Sequence, residues 1–306
     1  MLRELLSRGI RPVAFDLRAN PSRWETILGA DAARVEFAEG SLLEPDRLRQ
    51  ACDDFGVSHV IHLAALLTPA CQEDPWEGCR VNVLGSVALF ELARARPEEI
   101  RGFSYASSYA VYGPEADDAP ASVASPANRP PTFYGAFKMA VDLIAEQYWR
   151  HFGVASVAIR PHVVYGPERN LGLTAGPSLA ARAAARGETY AIGYTGAAGY
   201  DYVEDVAHAF VRAALETPRG ANVVDLPGKR ATPQEFVAAI EAAVPGAAEM
   251  LSVDGPPIAA NLPTSPNFIA NLFPDWRSTS LTDGVRRTVD FYRSRSTAAH
   301  ASETPP

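Results

Sequence analysis

Short apolar runs alternate with helix-period segments over the first 160 residues, and this alternation limits the fold more than any single motif. Residues 12–16, 34–38, 57–63, 103–106 and 154–160 read as strands, because they are short and rich in β-branched and aromatic side chains. Residues 45–55, 74–95 and 134–152 read as helices; Val81, Leu84, Ala88 and Leu92 recur near helical spacing. Residues 1–9 read as the end of an amphipathic helix stopped by Gly9. Strands separated by helices are βαβ units, so the expected class is α/β with a parallel sheet.

After Pro161 the pattern loosens. Two glycine-containing segments, 170–176 and 192–199, flank an alanine-rich helix at 179–186. Residues 201–215 read as a strand end and a helix, and 222–226 as a last strand. Thr232-Pro233-Gln234-Glu235 is a capping box with proline at the first helical position, opening a helix to about Val244. The last helix starts at Ser280-Leu281-Thr282-Asp283, with Leu281, Val285, Val289 and Tyr292 on one face. Residues 296–306 are small, polar and proline-ended, and are expected to be a disordered tail.

Charge and cysteine usage exclude several classes. The formal net charge is -8 and the pI about 5.3, with no basic run. That argues against a nucleic-acid partner and leaves a small molecule as the expected one. No apolar run approaches the ~20 residues of a membrane helix. The charges of the N-terminal stretch fall inside its apolar part, unlike a signal peptide. Cys52, Cys71 and Cys79 have no metal-ligand spacing and suit a reducing, cytoplasmic compartment. No metal is expected.

Of 28 basic residues, only Lys138 and Lys229 are lysines. Lys138 stands four residues after Tyr134, one helical turn on and on the same face. A free phenol has a pKa of about 10, too high for a base near neutrality, and a neighbouring ammonium favours the phenolate. The pair alone is a weak signal, since tyrosine and lysine also meet on exposed helix faces.

The surrounding motifs carry more weight. In order they are Asp16 after a strand, His62-Leu63-Ala64-Ala65, Asn82, Ser107-Ser108 with Val111-Tyr112-Gly113, Tyr134 with Lys138, Arg160-Pro161 with Val164-Tyr165-Gly166-Pro167, and Tyr202-Val203-Glu204-Asp205-Val206. Together they resemble the extended short-chain dehydrogenase/reductase superfamily, epimerase/dehydratase type, from residue 1 to about 295. The resemblance implies a Rossmann-type doubly wound parallel sheet with a small C-terminal substrate-binding domain. Residues 1–165 and 200–226 would form the NAD-binding part, and 166–199 and 227–295 the substrate part. It implies catalysis by Ser108, Tyr134 and Lys138, with NAD held by Asp16, Leu63, Ala64, Ala65, Asn82, Tyr134, Lys138 and Pro161. A carboxylate at Asp16 repels a 2′-phosphate, which favours NAD over NADP, although Arg18 softens this. His62 is expected to be a packed histidine, Asn82 a brace for the loop before it, and Asp205 a turn or helix-capping residue. A homodimer through the helices at 74–95 and 134–152 is also implied.

The resemblance has gaps. Many sugar-nucleotide members carry Asp at the position of Ser41, Asn at that of Val163, and Arg near Ala198-Gly199. A bound diphosphate needs donors and positive charge. Arg169 and Arg182 remain as candidates, and residues 172–177 take the substrate-loop position. A smaller hydroxy or keto compound, such as a sugar acid, is therefore at least as well supported here as an NDP-sugar. The family's first strand and glycine-rich turn are not found before Gly9, so a chain shortened at its N-terminus, unstable or inactive as it stands, is a further expectation. A non-catalytic dinucleotide sensor is the alternative from another class.

Overall fold

The computed structural model describes residues 1–113, 129–172, 174–258 and 268–302, with side chains to residue 295. Residues 114–128, Leu173, 259–267 and 303–306 lie outside the described residues. The chain divides into two compact units. The first contains Met1–Arg160, Ala207–Asp225 and Ser265–Leu272; the second contains Pro161–Val206, Leu226–Thr264 and Phe273–Pro306.

The chain opens with α1 (Leu2–Ser7), which Gly9 leaves through a positive φ of 72°. There follow β1 (Val13–Asp16), α2 (Pro21–Leu28), β2 (Glu36–Glu39), α3 (Pro45–Phe55) and β3 (His59–His62). Proline opens α3 where its missing N–H costs nothing, and Gly56 closes it in the left-handed conformation. Next come α4 (Thr68–Glu73), α5 (Pro75–Cys79), a π turn (Arg80–Leu84) and α6 (Gly85–Ala95). The sequence reads 74–95 as one regular helix; the structure inserts the π turn at Asn82, whose side chain leaves the helix to bind a neighbouring loop. Then β4 (Gly102–Ala106), α7 (Phe133–Phe152), β5 (Ser156–Arg160) and β6 (Val163–Tyr165) precede α8 (Gly176–Arg186) and β7 (Tyr190–Ile192). The chain ends with β8 (Ala198–Tyr202), α9 (Val203–Leu215), β9 (Ala221–Asp225), β10 (Lys229–Ala231), α10 (Pro233–Ala243), β11 (Leu251–Val253), α11 (Ile269–Leu272) and α12 (Leu281–Ser302). Helical backbone in α12 thus continues into the segment read as a disordered tail.

In the first unit β1 pairs with β2, and a separate parallel sheet has the order β3-β4-β5-β9. All these pairs are parallel, as the alternation of elements requires. Phe90 of α6 lies at the centre of this unit's core, with ring centroids 4.7 Å from Phe103, 5.7 Å from Tyr105 and 5.0 Å from Tyr148. The buried stripe of α7 is Gly135, Lys138, Val141, Asp142 and Ala145, at helical spacing, with two ionisable residues in it.

The second unit has two small sheets, β10-β8-β6 and β11-β7. Its core gathers Tyr165, Tyr200, Tyr202 and Phe236 around α8, α10 and α12. The capping box at Thr232 and Glu235 forms as the sequence indicates. Asp205 accepts from the Thr279 backbone and hydroxyl, so it holds the turn before α12.

Gly102 sets how closely α9 packs on β4. A Cβ at this position would lie 1.8 Å from the Ala214 carbonyl oxygen and 2.8 Å from the His59 ring. Replacing a strand glycine by alanine gains roughly 0.5–1 kcal/mol of backbone entropy, while overpacking typically costs 1–3 kcal/mol and sometimes more. The clash is with a backbone atom, which puts the cost at the upper end, so Gly102→Ala should lower stability by roughly 2 kcal/mol, read from the midpoint of urea unfolding.

Candidate active site

The site begins where β4 ends. The Ser107 amide donates to the Ile159 carbonyl at 2.9 Å, continuing the ladder one residue past the strand. Ser108 is extended (φ −165°, ψ 152°), and its Oγ accepts from the Ala110 amide at 3.2 Å, capping the short 3-10 turn Tyr109–Val111. Fully buried Val111 pins that turn. The first turn of α7 then lies directly on it. Thr132 caps the helix by accepting from the Gly135 amide at 3.1 Å. A Cβ on Gly135 would stand 2.0 Å from the Ala110 carbonyl oxygen, so only glycine allows this approach. Tyr134, in the same helical turn, is thereby brought beside the segment that carries Ser108.

Lys138 follows one turn later and is 5% exposed. Its Nζ donates to the Ala106 carbonyl at 2.7 Å and lies 5.7 Å from the centroid of the Tyr134 ring. Burial lowers its pKa to about 8, and the charge of Asp142 works against that fall. Ser108, Tyr134 and Lys138 thus stand on adjoining elements of one unit.

The segment after β3 carries the small residues expected beside a dinucleotide. Leu63 and Ala64 are exposed, and Ala65 is half-buried. Asn82, 1% exposed, clamps the loop: its Oδ1 accepts from the Leu66 amide at 2.8 Å and its Nδ2 donates to the Leu66 carbonyl at 2.9 Å. His62 is buried and its Nε2 meets the Ser86 hydroxyl at 2.9 Å. Burial, with a smaller push from Lys138, holds its imidazole down at about 3, so it is a neutral packed histidine.

Asp16 ends β1 exposed, with Oδ1 accepting from the Leu17 amide at 2.7 Å. Ser41 is spent on its own turn, accepting from the Leu43 amide at 3.2 Å. Pro161 opens the second unit. The Arg169 guanidinium turns to the Leu171 carbonyl.

Sequence reasoning missed a buried polar network under the catalytic candidates. Asp142 accepts from Ser107 Oγ (2.9 Å), Tyr105 OH (3.2 Å), and Arg160 Nε and Nη2 (3.1 and 2.6 Å). Arg160 Nη1 donates to Tyr112 OH at 2.8 Å, and Tyr112 OH donates to Asp225 Oδ2 at 3.0 Å. The one sequence signal was Asp142 four residues beyond Lys138, hence on the same helix face.

A lysine whose pKa falls on folding binds fewer protons in the native state than in the unfolded one. Its contribution to stability therefore rises with pH, here from about pH 8 up to the unfolded value near 10.4. Lys138→Met removes the group and with it this dependence. The stability of the variant relative to wild type should fall between pH 7 and pH 10, by up to ~3 kcal/mol from two to two and a half pK units. Urea unfolding of both proteins at the two pH values measures it.

Comparison with known proteins bears on the family. The model of the NAD dependent epimerase/dehydratase family matches residues 1–224. UDP-glucose 4-epimerase from Mycolicibacterium smegmatis is 30% identical over 306 residues, covering 95% of this chain and 94% of its own. D-erythronate dehydrogenase from Cupriavidus necator is 37% identical over 123 residues, covering 40% of this chain and 36% of its own. The structure of Thermus thermophilus UDP-glucose 4-epimerase in complex with NAD superposes with a TM-score of 0.72 at 25% identity, over 95% of this chain and 94% of that one. The family match starts at residue 1, and the expected N-terminal shortening is not borne out by these comparisons. By motif order, fold and family match, the chain belongs to the NAD-dependent epimerase/dehydratase family.

Proposed function

We propose that this protein is an NAD-dependent oxidoreductase or epimerase acting at a hydroxyl or keto carbon of a sugar, sugar acid or NDP-sugar, through Ser108, Tyr134 and Lys138. The observation that carries the reading is the buried Lys138 ammonium set 5.7 Å from the Tyr134 ring centroid. A cation kept there against its desolvation cost favours phenolate over phenol. Tyr134 then takes the proton of the substrate hydroxyl, and Ser108 donates a hydrogen bond that orients the reacting oxygen. NAD, when bound, supplies the hydride acceptor. Residues suited to its two ribose ends are present. Exposed Asp16 offers a carboxylate to the adenosine ribose, the exposed Leu63-Ala64 backbone leaves room for close approach, and Lys138 can donate to the nicotinamide ribose. Asn82 acts by holding that loop, of which Ala65 is part.

Two features bear on the substrate. Likeness over nearly the whole length to a UDP-glucose 4-epimerase supports an NDP-sugar. Val163 in place of an amide and Ala198-Gly199 in place of an arginine support a compound without a diphosphate, as does the partial likeness to a D-erythronate dehydrogenase. Exposed Leu84 near the start of α6 and exposed Leu143 and Phe152 on α7 support a homodimer through these helices. Three free cysteines suit a reducing cytoplasm; among the described residues no helix is long and apolar enough to cross a membrane.

The test is a substrate panel with NAD. Sugar acids should raise NADH absorbance if the net reaction is oxidation. UDP-glucose and UDP-galactose should interconvert without released NADH if it is epimerisation. Binding of NAD with neither result across both classes would overturn the proposal.

A further inference from the structure

The core-facing stripe of α7 contains two ionisable side chains one turn apart, Lys138 and Asp142, 5% and 7% exposed. Burying a charge is costly unless it is paired and hydrogen-bonded. The proposed chemistry uses the first of these residues. It gives no role to the second.

Asp142 is unusually well supplied. It receives four hydrogen bonds, from Ser107 and Tyr105 at the end of β4 and from two nitrogens of Arg160 at the end of β5. Burial and the charge of Asp142 push the Tyr105 phenol well above its ordinary range, so it stays a neutral donor. Burial opposes the charge of Arg160, but Asp142 and the groups around it outweigh that and raise its pKa. Arg160 extends the network to Tyr112, which closes the turn after Ser108, and Tyr112 to Asp225 at the end of β9. The ends of β4 and β5 and α7 are therefore joined through one carboxylate, and Arg160 and Tyr112 extend the network to the Ser108 turn and to Asp225.

We infer that Asp142 is a positioning residue for the Ser108–Tyr134–Lys138 site: by tying α7 to the ends of β4 and β5 it fixes where the Lys138 ammonium stands and supplies its balancing charge. This rests on the proposed catalytic reading. The groups facing Lys138 are Tyr134 and Asp142 on its own helix, Cys71 on α4 and His62 at the end of β3. Neutral His62 brings no negative charge, and burial raises the Cys71 thiol, keeping it protonated near neutrality. Asp142 is therefore the anion left to hold the proton on Lys138. A purely structural salt bridge would not require this placement, and replacing a buried ion pair by apolar groups is often neutral for stability.

Because the chain has only two lysines, Lys138 can be watched directly in the full-length protein carrying 13C-labelled lysine, with Lys229→Arg assigning the second resonance. Asp142→Asn should lower the titration midpoint of Lys138 by about one pH unit. The alkaline limb of kcat should move down with it, while the Kd for NAD stays within twofold. Asp142→Glu restores the midpoint to within half a unit, but its longer arm leaves kcat about tenfold low. Should Asp142→Asn not fold, Asp142→Glu carries the test, and an unchanged kcat overturns the inference. An unmoved Lys138 midpoint in folded Asp142→Asn also overturns it. A shifted midpoint with an unchanged kcat profile supports the coupling of Asp142 to Lys138 and overturns the catalytic role given to Lys138.

Discussion

The Lys138 ammonium is held where burial opposes its charge, donating to the Ala106 carbonyl at 2.7 Å. Three neighbouring features define its surroundings. Gly135 lets α7 press against the Ser108 turn; Asp142 lies one turn further along the same stripe; His62 stays neutral nearby. Family membership supplies the activity class, while this arrangement explains how these residues could perform it.

Much of the fold was legible where an element is punctuated chemically. Pro45 and Gly56 bound α3 to the residue, and Thr232 with Glu235 marks the start of α10. The π turn at Arg80–Leu84 was not legible. It depends on Asn82 reaching Leu66, sixteen residues away, and no local pattern records such a contact. The three-residue strands β6, β7, β10 and β11 were missed for a related reason. Three residues cannot display a period of two, and these strands exist only through their partners.

The candidate site was half legible. Tyr134, Lys138 and Ser108 could be read because lysine is scarce in this chain and the motifs keep a recognisable order. The support beneath them could not. Tyr105, Tyr112, Asp142, Arg160 and Asp225 are spread over 120 residues and meet only where strands and helix end together. Spacing along one helix gave the sole clue, Asp142 one turn after Lys138. Conversely, the polar groups missing at Val163 and Ala198-Gly199 were plain from the sequence, and they now frame the choice between a diphosphate-bearing sugar and a smaller acid.

The central claim is that Tyr134 carries the proton and Lys138 makes that possible. Turnover of Tyr134→Phe, measured beside NAD binding on the same preparation, tests it most directly. General acid–base groups contribute typically 10²–10⁴-fold. The account predicts at least a 100-fold loss of kcat with NAD affinity within about threefold of wild type. Turnover retained at the wild-type level, with NAD bound normally, would contradict it.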